Sequence, residues 1–218
     1  MRPWFIVALF CVVLSAGCST LVAEPARVLP PRSIPLQIVF NNTYDNGFVR
    51  INETVWLKPY AVDAMGGLPG VRQELDKVGP ESEAAGRRFD GLTTWGLRWG
   101  FNFNRTDTSC SLRNATIDLE AVITLPELEQ NDLTAAETEL WQGYVQALRA
   151  HEDGHVNIYR VGAQELSNDF LAVGEMPDCE QLRSRLSALG DAKLQRLAVA
   201  DQNYDAQTGH GAIFPTQE

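Results

Sequence analysis

The chain has 218 residues, with 18 Lys and Arg against 28 Asp and Glu, giving a formal charge of −10, and it has three histidines. An acidic balance of this size excludes nucleic acid as a partner, because a polyanion is repelled rather than gathered. Once the N-terminal segments are set aside the length suits one domain, and the chain has neither an internal repeat nor a low-complexity tract.

Residues 1–17 read as a signal peptide: Arg2, an apolar run from Trp4 to about Leu14 that is too short to span a membrane, and the small residues Ser15, Ala16 and Gly17. The segment is similar to a bacterial lipoprotein signal with Cys18 as the lipidated residue, and Ser19 after it favours the outer membrane, facing the periplasm. Ser15 stands where such signals usually carry leucine, so simple secretion into the periplasm or medium is the alternative. Residues 18–35, with Pro25, Pro30, Pro31 and Pro35, read as a tether, and 36–218 as the folded domain. The Asn-x-Thr sequons starting at Asn41, Asn52, Asn104 and Asn114 carry no weight in a bacterial chain.

Leu36–Phe40 and Thr54–Tyr60 read as strands, and Pro69–Val78 as a short helix closed by Gly79-Pro80. Two stronger strands follow. Trp95, Leu97, Trp99, Phe101 and Phe103 alternate with polar or small residues, and so do Ala115, Ile117, Leu119, Ala121, Ile123 and Leu125. Each buries one face, and Pro126 is expected to end the second. Thr134 and Glu137 form a capping box, opening a helix that runs to about Phe170 with a stripe of Leu140, Tyr144, Leu148, His151, His155, Tyr159, Gly162, Leu166 and Phe170. A last helix starts at Asp178, with Gln181 as its partner, carries Leu182, Leu186, Leu189 and Leu197, and returns a loop at 204–211. The class is α+β: a small antiparallel or mixed sheet on a long helix, with a C-terminal helix and loop.

The chemistry is carried by His151-Glu152-Asp153-Gly154-His155. On a helix, residues i and i+4 share a face, so both imidazoles reach one point, while Glu152 lies about 100° round and can hold a metal-bound water without ligating. Two histidines on a buried stripe need a common partner to offset desolvation, and a zinc ion is that partner. Gly154 costs about 1 kcal/mol inside a helix, so another backbone segment is expected to pass close there. His210, in the glycine-containing YDAQTGHG segment, is the preferred third ligand. Asp205, Glu165, Glu175 and Glu180 remain open to that place, and Ile158 and Val161 exclude the pattern with glycine and histidine at those positions. Asp205 is otherwise expected to accept from an imidazole, and Tyr204 to face a developing oxyanion, packing roles for both being the alternative. Cys11 leaves with the signal and Cys18 carries the lipid, so Cys110 and Cys179 remain as the expected disulfide pair, with thiolate ligation of zinc as the alternative.

Taken together, GRRFDGLTTWGLRW, Cys110, VITLPEL, the approach from Trp141 to Leu148, HEDGH, Cys179 and YDAQTGHG resemble a bacterial family of predicted secreted zinc-dependent proteases, long catalogued as a domain of unknown function. The resemblance implies a zincin-like fold, His151 and His155 as zinc ligands, Glu152 as catalytic base and His210 as third ligand. The expected function is a zinc metallopeptidase of the cell envelope, lipid-anchored and acting on a peptide or protein there. The rivals are a noncatalytic zinc-stapled lipoprotein and an amidase of peptidoglycan stem peptides.

Overall fold

A computed structural model describes residues 35–82, 86–130, 132–211 and 213–215. The expected signal peptide, the lipidated Cys18 and all but the end of the tether lie outside them. Four long strands, β1 (Gln37–Asp45), β2 (Val49–Asp63), β5 (Leu92–Arg105) and β6 (Cys110–Gln130), form one sheet, and β3 (Glu81–Ser82) and β4 (Arg87–Arg88) form a small hairpin. Three helices complete the fold: α1 (Gly67–Val78), α2 (Ala135–Leu171) and α3 (Cys179–Thr208). The fold is α+β.

The sheet is mixed, in the order β1-β2-β6-β5: β2 runs parallel to β6 and the other pairs are antiparallel. Pro126 does not end β6. Its partner in β2 is Tyr60, whereas pairing with β5 begins only at Thr124. Beyond that point one side of β6 is open, which is where a residue without an N–H is tolerated. The apolar alternation of β5 is core: Trp95 stacks on Tyr159 at 4.3 Å and Phe101 meets Phe170 edge-on at 5.0 Å.

The N-terminus of α2 is built as the sequence predicts, with the Thr134 side chain accepting from the Glu137 N–H and the Glu137 carboxylate accepting from the Thr134 N–H. Along the predicted stripe the correction is at its start: Leu140 is exposed and its neighbour Trp141 is buried. Asp178 caps α3 by accepting from the N–H groups of Glu180 and Gln181. No glycine or proline interrupts the chain after Gly190 until Gly209, and α3 accordingly continues to Thr208. Residues 204 and 205 are therefore helical, not part of a loop.

Two apolar clusters divide the helical face of the sheet. One joins Ile117 and Leu119 to Tyr159, Leu166, Phe170, Leu182 and Leu186. The other joins Val62 and Ile123 to Leu68, Val71, Leu75 and Leu148. Between them, fully buried Glu53 of β2 accepts from both ends of the Arg160 fork, Nη2 at 2.6 Å and Nε at 2.9 Å, and so fixes α2 on the sheet. The HEDGH turn lies on α2 between Leu148 of one cluster and Tyr159 of the other.

Cys110 and Cys179 are bonded, joining the start of β6 to the start of α3 across 69 residues. Closing a loop of that length restricts the unfolded chain, so changing both cysteines to serine is expected to lower stability by about 2–4 kcal/mol, read as a fall in Tm. No helix among the described residues is long and apolar enough to cross a membrane.

A second lock sits ahead of β5. Arg72 of α1 forks onto Asp90 with two bonds of 2.6 Å, the Tyr144 hydroxyl donates to the same carboxylate, and the Tyr60 hydroxyl donates to the Asp90 carbonyl at 2.7 Å. Burial alone would raise the pKa of Asp90, but Arg72 and Tyr144 outweigh it and hold the carboxyl below its ordinary 3.8. A carboxyl depressed by folding stabilises the native state above its unfolded value and loses that contribution as pH falls through the folded one. Asp90→Asn should therefore cost about 2–3 kcal/mol at neutral pH. It should also flatten the acid limb of the stability curve below about pH 4, as followed by urea unfolding across pH.

Candidate metal centre

His151 and His155 point from one face of α2 at an equivalent pair on α3, Asp201 and Asp205, also spaced i, i+4. Nε2 of His151 and Nε2 of His155 lie 3.1 Å apart, and Oδ1 of Asp205 is 3.2 Å from the first and 3.1 Å from the second. Both histidines are buried, and these three side chains form the group among the described residues that could hold a metal ion.

The far side of each ring is tied down. Nδ1 of His155 donates to Asp201 at 2.6 Å, and Asp201 also accepts from the Tyr159 hydroxyl. The single hydrogen of Thr208 Oγ1 goes to the Tyr204 carbonyl at 2.7 Å, so that oxygen accepts from Nδ1 of His151 at 3.2 Å. Both Nε2 atoms thus turn their lone pairs toward the Asp205 oxygen. Three acceptors at one point repel unless a proton or a cation sits among them. Burial lowers the proton affinity of both rings. For His151, with His155 beside it, the net shift is downward, whereas for His155 the Asp201, Glu152 and Asp205 carboxylates reverse it and raise the value. Metal bonds of about 2.0–2.1 Å at tetrahedral angles separate donors by roughly 3.3 Å, and the observed spacings fit that set.

Glu152 lies beside the pair and is nearly inaccessible, at 3 % exposure. Its Oε2 accepts from the Thr93 hydroxyl of β5 at 2.7 Å. Burial pushes its carboxyl up to about 7, against the opposing pull of Thr93 and His155. Gly91, held by the Asp90 lock, passes so close that a Cβ there would stand 2.7 Å from Oε1 of Glu152. These groups face a cavity of about 880 Å³ whose walls include Thr93, Trp95, His151, Glu152, Asp205 and His210.

His210, the expected third ligand, lies outside the converging group. It follows the left-handed cap Gly209, has a positive φ of 61° itself, and sets Nδ1 3.4 Å from the outer oxygen of Asp205, with its side chain 41 % exposed. Asp205, expected behind an imidazole, stands in front of both, and Asp201 holds the place behind His155. Glu165 instead pairs with the buried Lys193 at 2.9 Å. The glycines of the closing segment do bring backbone close: a Cβ on Gly211 would lie 3.0 Å from the His151 ring.

Tyr204 stacks on His151 at 5.0 Å and meets His155 edge-on at 4.9 Å. Its hydroxyl fills the space above Gly154, where a Cβ would lie 2.1 Å away. The close neighbour predicted at Gly154 is therefore a side chain, not backbone. Gly154→Ala should displace Tyr204 and cost about 1–3 kcal/mol by overpacking, measurable by thermal unfolding. Asp201 and Thr208 were not singled out from sequence, although the Asp201-x-x-x-Asp205 spacing was a readable sign of a second pair.

An α+β domain with an HExxH helix and a cavity-facing group able to hold a metal is the class that fold and site define. The chain belongs to the family described as "Bacterial protein of unknown function (DUF922)", which it matches over residues 57–211. No curated protein and no solved structure matches it.

Proposed function

We propose that the chain is a zincin-like, zinc-dependent metallopeptidase of the bacterial cell envelope, exported and anchored through Cys18. The observation that carries this reading is the convergence of two imidazole nitrogens and one carboxylate oxygen within 3.2 Å at a cavity wall, beside a buried glutamate. In this proposal the ligands are His151, His155 and Asp205, and His210 stands beside Asp205 to meet charge developing on the substrate. Three protein donors at an open cavity support catalysis over a closed structural site, which would use four. The Cys110–Cys179 bond fits an oxidising compartment.

Zinc bound here would supply Lewis acidity, making a water nucleophilic near neutral pH and polarising a peptide carbonyl. Glu152 takes the proton of the attacking water and returns it to the leaving amine. Thr93 fixes that carboxylate, and Asp201 and Thr208 orient the two imidazoles. β5 is an outer strand of the sheet, and Gly91 to Trp95 line the cavity, so an extended peptide would pair with β5 and cross the histidines.

The test is elemental analysis and cleavage of a peptide library on purified variants. Stoichiometric zinc is expected in the wild type, in Glu152→Gln and in His210→Ala, and lost in Asp205→Ala. Cleavage should fall by about 10²–10⁴ in Glu152→Gln. Asp201→Asn should weaken zinc by about 10- to 100-fold, read by competition with a chromogenic chelator. A wild type without metal overturns the proposal, and one that binds metal but cuts no peptide gives the first place to the noncatalytic lipoprotein.

A further inference from the structure

Among the described residues that line the cavity, one is a Lys or Arg. Arg87, on β4, lines the cavity together with Glu81, Glu152, Asp201 and Asp205. Each of those carboxylates is engaged: Glu81 with Arg88 at 3.2 Å, Glu152 with Thr93, Asp201 with His155 and Tyr159, and Asp205 with the histidines. Among the described residues no carboxylate pairs with Arg87. Its guanidinium lies over the Phe89 ring at 4.4 Å, and the same ring meets His210 at 5.4 Å. Stacking occupies the face of the guanidinium and leaves its N–H donors, which lie in the plane, free to form a two-pronged contact.

We infer that Arg87 is a specificity residue that binds a carboxylate of the substrate, so the site selects peptides with an acidic group a few residues from the cut bond. This rests on the peptidase reading above. The placement follows from the ring stack: an extended peptide advances about 3.3 Å per residue, and Arg87 is one aromatic ring removed from His210. Arg87 is the one Lys or Arg among the described residues lining the cavity, so away from the metal centre it is the group on that wall suited to take a substrate carboxylate. An acidic side chain and a free C-terminus offer the same group.

The probes are N-acetylated, C-amidated hexa-alanine peptides carrying Glu or Gln at each position in turn, with the alanine parent repeated as the free acid. Cleavage is measured with the zinc-loaded full chain, and binding is measured by calorimetry on Glu152→Gln. The wild type should favour one Glu position, or the free acid, over its neutral counterpart by about 10- to 100-fold. Arg87→Gln should erase the preference, Arg87→Glu should invert it, and Arg87→Lys should keep part of it, all with zinc content unchanged. A Glu position identifies a side-chain carboxylate, and a preference confined to the free acid identifies the terminus. Cleavage without preference, or a preference that survives Arg87→Glu, overturns this inference and leaves the peptidase reading standing. An Arg87-dependent binding preference without cleavage overturns the peptidase reading and with it the placement relative to a cut bond, and keeps Arg87 as the carboxylate-binding residue. Failure to bind or cleave any member overturns both.

Discussion

The site depends on how closely α2 and α3 approach each other. Two glycines of α2 mark that approach: Gly154 receives the Tyr204 ring and Gly162 receives Leu197, whose methyl group lies 2.4 Å from where a Cβ would stand. Interiors packed at crystal density transmit such offsets rather than absorb them. A larger residue at either position would push α3 outward, and Asp201 and Asp205 would leave contact distance of the histidines. Glu53 with Arg160 sets α2 on the sheet, and the disulfide sets the origin of α3. The positions of the two i, i+4 pairs thus follow from packing that is itself largely apolar.

Orientation is finer than position. Each imidazole has its outer nitrogen assigned to a different acceptor, a carboxylate for His155 and a hydroxyl for His151. The difference is matched by opposite shifts in the two rings. The ring backed by a carboxylate is the more basic of the two. Glu152 is set from the other layer: Gly91 and Thr93 stand at the start of β5, and the run into that strand is held by Asp90, Arg72, Tyr60 and Tyr144. Imidazoles and carboxylates of the helices and a glutamate oriented by the sheet meet at one cavity.

Much of this was legible in the sequence because it is local. A capping box and a buried stripe fixed the start and face of α2 to within a residue, and with Cys11 in the expected leader and Cys18 assigned to lipid, the two remaining cysteines left one pairing. The parallel pairing of β2 with β6 was not legible, since α1, a hairpin and β5 intervene between the two strands. The length of α3 was missed for a related reason. Gly209 and Gly211 drew attention to a loop and to the last imidazole, whereas the helix runs on to Thr208 and carries the acidic pair into the site. Asp201 and Thr208 act through ring nitrogens one helix away, a relation that no spacing along the chain encodes.

The matched stretch, 57–211, contains Arg87, Asp90, Thr93, the HEDGH turn, Asp201, Asp205 and Thr208, and omits β1 and the first part of β2. β1 is an outer strand with Ile38, Val39, Phe40 and Tyr44 exposed, and it reaches the helices through Phe40, which lies over Arg160. Its loss would bare the Arg160–Glu53 pair on β2 and α2 without touching a group that faces the cavity. The groups that face the cavity come from β5, α2, α3 and the segments flanking them, and β1 covers the ion pair that keeps α2 in place.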